Sequence, residues 1–177
     1  SDNKTQIIYH SIDPFKKKIK KNKQIIFVGK LNESKGYDLY CKAMFKILDS
    51  NKDWRAYSIG EEKRFQNFPT HSRHKSLGQI SHSKVLEYLG KSEIAIIPSR
   101  WEEPFGRTAM EASSRGCATI ISKKGGLPET TDHAIKLKKV DVKNIENETI
   151  KLIKNKNFRK KVQINSQKYI KHNLKTN

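Results

Sequence analysis

Acidic side chains are scarce in this sequence: 18 Asp and Glu stand against 37 Lys and Arg among 177 residues, a formal net charge of +19. Arginine is the scarce member of the basic set, with 7 Arg beside 30 Lys. Zinc-finger spacing, an RNP-type strand and a GXXG clamp are all missing, so the joint signature of Arg, aromatics and motif that marks a nucleic-acid binder is absent. Nucleic acid is therefore not an expected partner, and a composition rich in Lys, Asn and Ile also arises from an A/T-rich coding sequence. Anionic lipid or a phosphorylated ligand stays open as a target for the excess charge. Hydrophobic residues make up only 34% of the chain, and no stretch approaches the ~18 apolar residues of a membrane-spanning helix. The two cysteines, Cys41 and Cys117, lie inside apolar segments and form no CxxC pair. They read as small buried thiols, in keeping with a reducing cytoplasm. Asp-x-Asp does not occur, nor do the GxxxxGK(S/T) and GxGxxG patterns, so a P-loop and a simple NAD site are unsupported. His71 and His74 are three apart but have no carboxylate or Cys cluster beside them, and no metal site is expected. Ser99 has no base in sight for a nucleophilic role.

Short β-branched runs alternate with helical stretches, which predicts βα units around a doubly wound parallel sheet. Strands are expected at 6–10, 24–29, 54–60, 73–78, 93–99, 117–122 and 134–137, with the continuous apolar run EIAIIPS suited to the middle of the sheet. Helices are expected at 37–50, with Leu39, Ala43, Phe45, Ile47 and Leu48 on its apolar side, and at 81–92 with Ser81 as cap. Further helices are expected from Pro104 to Arg115 and at 141–155 and 157–172. Residues 151–177 hold eight Lys and one Arg and no acid. That segment is either a solvated helix with a narrow apolar stripe through Phe158, Val162 and Tyr169, or a face for anionic lipid, where each cation contributes about 1 kcal/mol.

Chemistry concentrates where strands end, the place at which such sheets bind ligands. PSRWEEPFGRTAMEA, residues 98–112, follows the central strand. Pro104 suits a first helical turn, and the amides of Phe105, Gly106 and Arg107 at a helix N-terminus form a ready phosphate site. Glu103 and Glu111 stand eight positions apart, roughly 8–12 Å along and before a helix. Two carboxylates so placed can each accept from a vicinal diol, with a diphosphate between them. VGKLNESKG, residues 28–36, ends a strand at Gly29 and carries Lys30 and Lys35 about a short turn. Both ammonium groups can reach a diphosphate and stabilise it as a leaving group. SLGQIS, residues 76–81, can offer backbone to a flat base, and KKGGLPET, residues 123–130, has two glycines where a loop must pass close to something. Trp101 either stacks on a ligand or braces its loop, while Arg100 and Arg107 are either phosphate partners or structural cations.

The order VGKLNESKG, LGQIS, PSRWEEPFG, Glu111 and GGLPE resembles the donor-binding domain of the GT4 family of glycosyltransferases, whose hallmark is the E-x7-E pair met here as Glu103 and Glu111. The resemblance covers roughly residues 5–155. It implies a Rossmann-like C-terminal half of a two-domain GT-B enzyme spanning 1–177, with a basic helix near 157–173 and a preceding acceptor-binding domain outside the chain. It also implies retaining, metal-independent transfer from a nucleoside diphosphate sugar, with no cofactor, to a glycan or lipid-linked acceptor. By position, Glu103 would hold the donor sugar, Glu111 the ribose, and Lys30 and Lys35 the diphosphate, helped by Gly29 and the amides of Phe105, Gly106 and Arg107. Gln79, Ile80 and His82 would border the base. Lys30 stands where the family usually has Arg, which keeps the charge but loses the bidentate fork. His10 and Ser11 replace a usual Asn-Gly in the opening segment. A cytoplasmic enzyme, peripheral on the inner membrane face, is the resulting expectation. Its alternatives are a basic membrane- or nucleic-acid-binding module, or a GT-B-like sugar-nucleotide epimerase or phosphorylase.

Overall fold

Six parallel strands form one sheet in the order β3-β2-β1-β4-β5-β6 in this computed structural model, which describes residues 19–64 and 67–173. The strands are β1 (Asn22–Val28), β2 (Arg55–Ile59), β3 (His74–Ser76), β4 (Ser92–Ile97), β5 (Ala118–Ile121) and β6 (Ile135–Lys136). Interleaved with them are α1 (Tyr37–Ser50), α2 (His82–Lys91), α3 (Arg107–Ser114), the short α4 (Leu127–Thr130), α5 (Val142–Lys154) and α6 (Lys156–Asn173). The expected doubly wound α/β architecture is therefore present. The strand expected at 6–10, with His10 and Ser11, lies outside the described residues.

Period-two alternation assigns each central strand to two cores. Ile25, Phe27, Ile94, Ile96, Ala118 and Ile120 face α1 and α5, while Ile26, Ala95, Ile97 and Ile121 face α2 and α3. Because both faces are covered, β4 reads as an unbroken apolar run. The last helix, α6, reaches from the first layer, where Val162 is buried, to α3, where Ile170 meets Met110.

Several local expectations need correction. Helix α3 begins at Arg107 rather than Pro104, because Gly106 adopts a left-handed φ of 92° and turns the chain there. That φ favours glycine, and a Cβ there would also meet the end of the Leu127 side chain at 2.7 Å. Phe45 lies off the buried face of α1 and is 42% exposed. Ser81 occupies the N-cap position of α2, yet its hydroxyl bonds Ser83 instead of a backbone amide. On α6 the buried positions are Arg159, Val162, Ser166 and Ile170, with Phe158 and Tyr169 only half-buried.

Two polar devices inside the fold have no local sequence signal. The Lys21 ammonium donates to the carbonyls of Leu89 (3.2 Å), Ser92 (2.7 Å) and Arg115 (2.7 Å), tying the ends of α2 and α3 to the start of β4. Burial pushes its pKa below the ordinary lysine value, while charge from Cys117 and Glu93 works the other way. Beneath α1, Ser58 Oγ meets Tyr37 Oη at 3.0 Å and His74 Nε2 at 3.1 Å. His71 turns away from His74 to Asp49, so the two do not converge as ligands. Cys41 and Cys117 are free and buried.

Candidate functional site

The strand order reverses direction between β1 and β4, and the crevice at their carboxyl ends is the topological switch point at which open α/β sheets take ligands. The strand ends close up there through glycine. The Gly29 amide donates to Ile59 O at 3.0 Å and the Gly60 amide to Gly78 O at 2.9 Å. Gly60 has a φ of +135°, and a Cβ on it would lie 1.9 Å from the Gly29 carbonyl oxygen. No other residue fits that approach.

Asn32 shapes the loop after β1. Its Oδ1 accepts from the Lys35 amide (3.1 Å) and the Ser34 hydroxyl (2.8 Å), an Asx-type turn. The loop then rests on the one after β4, since both Arg100 and Trp101 amides donate to Ser34 O at 2.9 and 3.0 Å. Arg100 adds a two-pronged bond to Asp38 at 2.7 and 2.8 Å. Burial opposes the Asp38 carboxylate, but Arg100's hydrogen bonds and charge outweigh it and hold the pKa below the usual range. Of the two readings of Arg100, the structural one fits: it is a brace.

This brace sets Lys35 and Glu103 against each other. Lys35 Nζ donates to both carboxylate oxygens of Glu103, at 2.7 and 2.8 Å. From the other side the Glu103 carbonyl accepts the Gly126 amide at 2.7 Å. A Cβ on Gly125 would fall 2.1 Å from that same carbonyl, so the glycines of KKGG are needed where this loop passes the Glu103 backbone. Lys35, Glu103, Gly29, Gly106, Arg107 and Thr108 all border a cavity of about 150 Å³. The first amides of α3 have no intrahelical acceptor, so this wall joins a positive helix end to an ammonium and a carboxylate.

Glu111 lies further along α3 and is 7% exposed. Its Oε1 accepts from both His82 Nε2 (2.8 Å) and Arg107 Nε (2.9 Å). Glu111 and His82 thus form a second polar group next to the cavity, outside its lining. Gln79 is exposed and Ile80 half-buried on the β3–α2 loop, which leaves that part of the site as open surface. Phe105 packs on Met110 and Ile170. Lys30 is exposed at the end of β1 and does not border the cavity. Trp101 is 59% exposed on a loop whose backbone is pinned. Sequence reasoning missed Asn32 and Asp38, the residues that orient Lys35 and Arg100. Asn32 three residues before Lys35 was a readable turn signal, whereas the Arg100–Asp38 pair spans 62 residues. Among the described residues, no group of three His, Cys, Asp or Glu side chains is arranged to hold a metal ion.

Comparison with known proteins adds an independent line. The family described as glycosyl transferases group 1 matches residues 10–169. An uncharacterised glycosyltransferase of Methanocaldococcus jannaschii is 27% identical over 157 residues, covering 76% of this chain and 40% of that protein. The C-terminal domain of the group 1 family protein LpcC from Francisella tularensis superposes with a TM-score of 0.79 at 22% identity, covering 89% of each chain. Anabaena HepE, solved in complex with UDP-glucose, shares the fold with a TM-score of 0.76 at 16% identity, covering 87% of this chain and 45% of that one. The chain spans 28%, 40% and 33% of the length of three curated relatives it matches.

Proposed function

The chain belongs to the group 1 glycosyl transferases, and on that premise we propose that it is the donor-binding half of a retaining, metal-independent GT-B enzyme. The complete enzyme moves a sugar from a nucleoside diphosphate sugar to a glycan or lipid-linked acceptor. The observation that carries this reading is the placement of Glu103 and Glu111 on either side of the α3 N-terminus, with Lys35 across from the first of them. In the proposed pose the diphosphate lies at the α3 amides and draws the Lys35 ammonium toward it. Glu103 is thereby released to orient the hydroxyls of the donor sugar, and Glu111 takes the ribose diol. Lys35 and the helix end stabilise the departing diphosphate electrostatically, a task that other enzymes give to a metal held by acidic pairs. The base lies along Gln79 and Ile80.

An acceptor-binding domain preceding this one would close the other side of the crevice. Two facts support it: the chain spans well under half of its first curated relatives, and the cavity of about 150 Å³ is smaller than the roughly 300–1,000 Å³ of a complete small-molecule pocket. The enzyme works on the cytoplasmic side of a membrane. No described helix is long and apolar enough to cross one, but α6 exposes Lys160, Lys161, Lys168 and Lys171 around Ile164, which is 49% exposed. Cations around an apolar anchor suit an anionic lipid surface.

Calorimetric titration with UDP-, GDP- and ADP-sugars, with and without EDTA, tests the main reading. One donor series should bind, and equally well with the chelator present. Binding that requires Mg²⁺ or Mn²⁺ would overturn metal independence, and a loss of all binding at moderate salt would favour a polyanion surface instead.

A further inference from the structure

We propose that His82 is a positioning residue: together with Arg107 it clamps one oxygen of Glu111, so that the other is presented to the ribose of the donor nucleotide. This rests on the donor-site reading above and deepens it. A glutamate's terminal torsion is broad and roughly two-fold, so a carboxylate at a diol site needs partners that set its plane. Here two nitrogens converge on the same atom, His82 Nε2 at 2.8 Å and Arg107 Nε at 2.9 Å from Oε1, and neither bonds Oε2. An ionised carboxylate only accepts, so the proton of the His82 bond sits on Nε2. That nitrogen is engaged by Glu111 and is not available to read a base.

The two donors constrain Glu111 differently. Both donors are open to water, with side chains 67% exposed for Arg107 and 55% for His82, but Arg107 is four residues before Glu111 on α3, so that pair belongs to one helix turn. His82 opens α2, 29 residues away in sequence, and fixes the carboxylate relative to the β3–α2 loop that borders the proposed base position. The distance between ribose and base recognition is therefore set across the His82–Glu111 bond. Without it, Glu111 keeps its charge and its neighbour on α3 but loses its alignment with the loop.

The test uses whichever of UDP, GDP and ADP the chain binds most tightly, together with the 2′,3′-dideoxy form of that nucleotide. Calorimetric affinities of both ligands are measured for the wild type, His82→Ala, His82→Gln, Glu111→Ala and the double variant His82→Ala/Glu111→Ala, each checked for folding by circular dichroism. His82→Ala should weaken the ribonucleotide roughly tenfold and leave the dideoxy form nearly unchanged. His82→Gln, whose amide nitrogen can reach the same carboxylate, should restore most of the loss. Adding His82→Ala to Glu111→Ala should change nothing more. Equal weakening of both nucleotides would mean that His82 touches the base or merely supports the fold, and would overturn the positioning role; so would additive losses in the double variant. A wild type that binds ribo and dideoxy forms alike refutes the ribose assignment of Glu111 itself, and this inference with it.

Discussion

Acidification should destabilise this domain through one identifiable histidine, His74. Its ring meets Tyr40 edge to face at 5.6 Å between centroids, and its Nε2 meets the buried Ser58 hydroxyl at 3.1 Å. Burial, reinforced by the nearby charge of His71, pushes its pKa from the ordinary 6.5 to about 4. The unfolded chain therefore takes up a proton near pH 6.5 that the folded chain refuses until about pH 4. Stability from this group is complete above 6.5 and is lost as the pH falls through that window. About 2.5 pH units at roughly 1.4 kcal/mol each give at most about 3.5 kcal/mol. His74→Gln keeps an N–H for Ser58 but cannot titrate and packs less well on Tyr40, a loss of about 1–2 kcal/mol at pH 7.5. Urea unfolding of both proteins from pH 7.5 to 4 should then show the variant less stable at first and overtaking the wild type between about pH 5 and 6. Other titrating groups act on both proteins and cancel in the difference. Parallel stability curves across the whole range would refute the reasoning.

Three further outcomes follow from the proposed site. Glu111→Ala should weaken the nucleoside diphosphate and its sugar conjugate alike, by about 1.5–3 kcal/mol for hydrogen bonds to a charged group; normal binding of the parent nucleotide in a calorimeter would remove the ribose role. Glu103→Gln in the complete two-domain enzyme should lower kcat on the order of 10²–10³-fold, while nucleoside diphosphate affinity holds or rises because Lys35 is freed; near-normal turnover in a steady-state assay would leave Glu103 only a partner for Lys35. Liposome co-sedimentation at physiological salt should show binding to phosphatidylserine-containing but not neutral vesicles, reduced by Lys160→Glu/Lys161→Glu, and unchanged binding in that variant would make α6 a solvated packing helix.

How legible the molecule was depends on the range of the forces involved. Strand β4 was readable because burial on both faces forces a continuous apolar run. Helix α1 was readable to its ends because Gly36, with φ 74°, opens it and Asn51 ends it. Phe45 misled because residue type alone does not assign a helix face; position 45 falls between the buried positions 44 and 47 yet points outward. The start of α3 was misjudged for a tertiary reason. Pro104 is a sound local choice for a first turn, but the chain turns at Gly106, left-handed at φ 92° and packed against Leu127 and Thr130 from the segment after β5. The same limit hid Lys21 and the Arg100–Asp38 brace, whose partners lie 62 to 94 residues away. The chemistry-bearing side chains come together from separate loops: the structure groups Lys35, Glu103 and Arg107 around one cavity and sets Glu111 beside it with His82. Their loops had announced themselves because backbone that must approach other backbone needs glycine, and glycine is visible in sequence.

Charge matching is the reason we propose that Lys30 joins the site although it stands outside the cavity. Each site carboxylate already has a cationic neighbour, Glu103 with Lys35 and Glu111 with Arg107, so these pairs are close to neutral by themselves. An incoming diphosphate adds negative charge that the pairs do not offset, and drawing Lys35 toward it uncovers the charge of Glu103. On the proposed reading that carboxylate then favours positive charge developing at the anomeric carbon, so its exposure is useful only if another cation steadies the phosphates. The α3 N-terminus supplies partial charge, equivalent to about half a unit. Lys30, exposed at the end of β1 and without an ion pair among the described residues, supplies a whole one. A long, unpaired lysine can swing toward the phosphates from outside the cavity, whereas an arginine held in place would recognise them with a fixed fork. On the proposed reading, Lys in place of the Arg expected from the family resemblance keeps the charge balance of the reaction and gives up the fixed fork, which leaves geometric selection of the phosphates to the amides of α3.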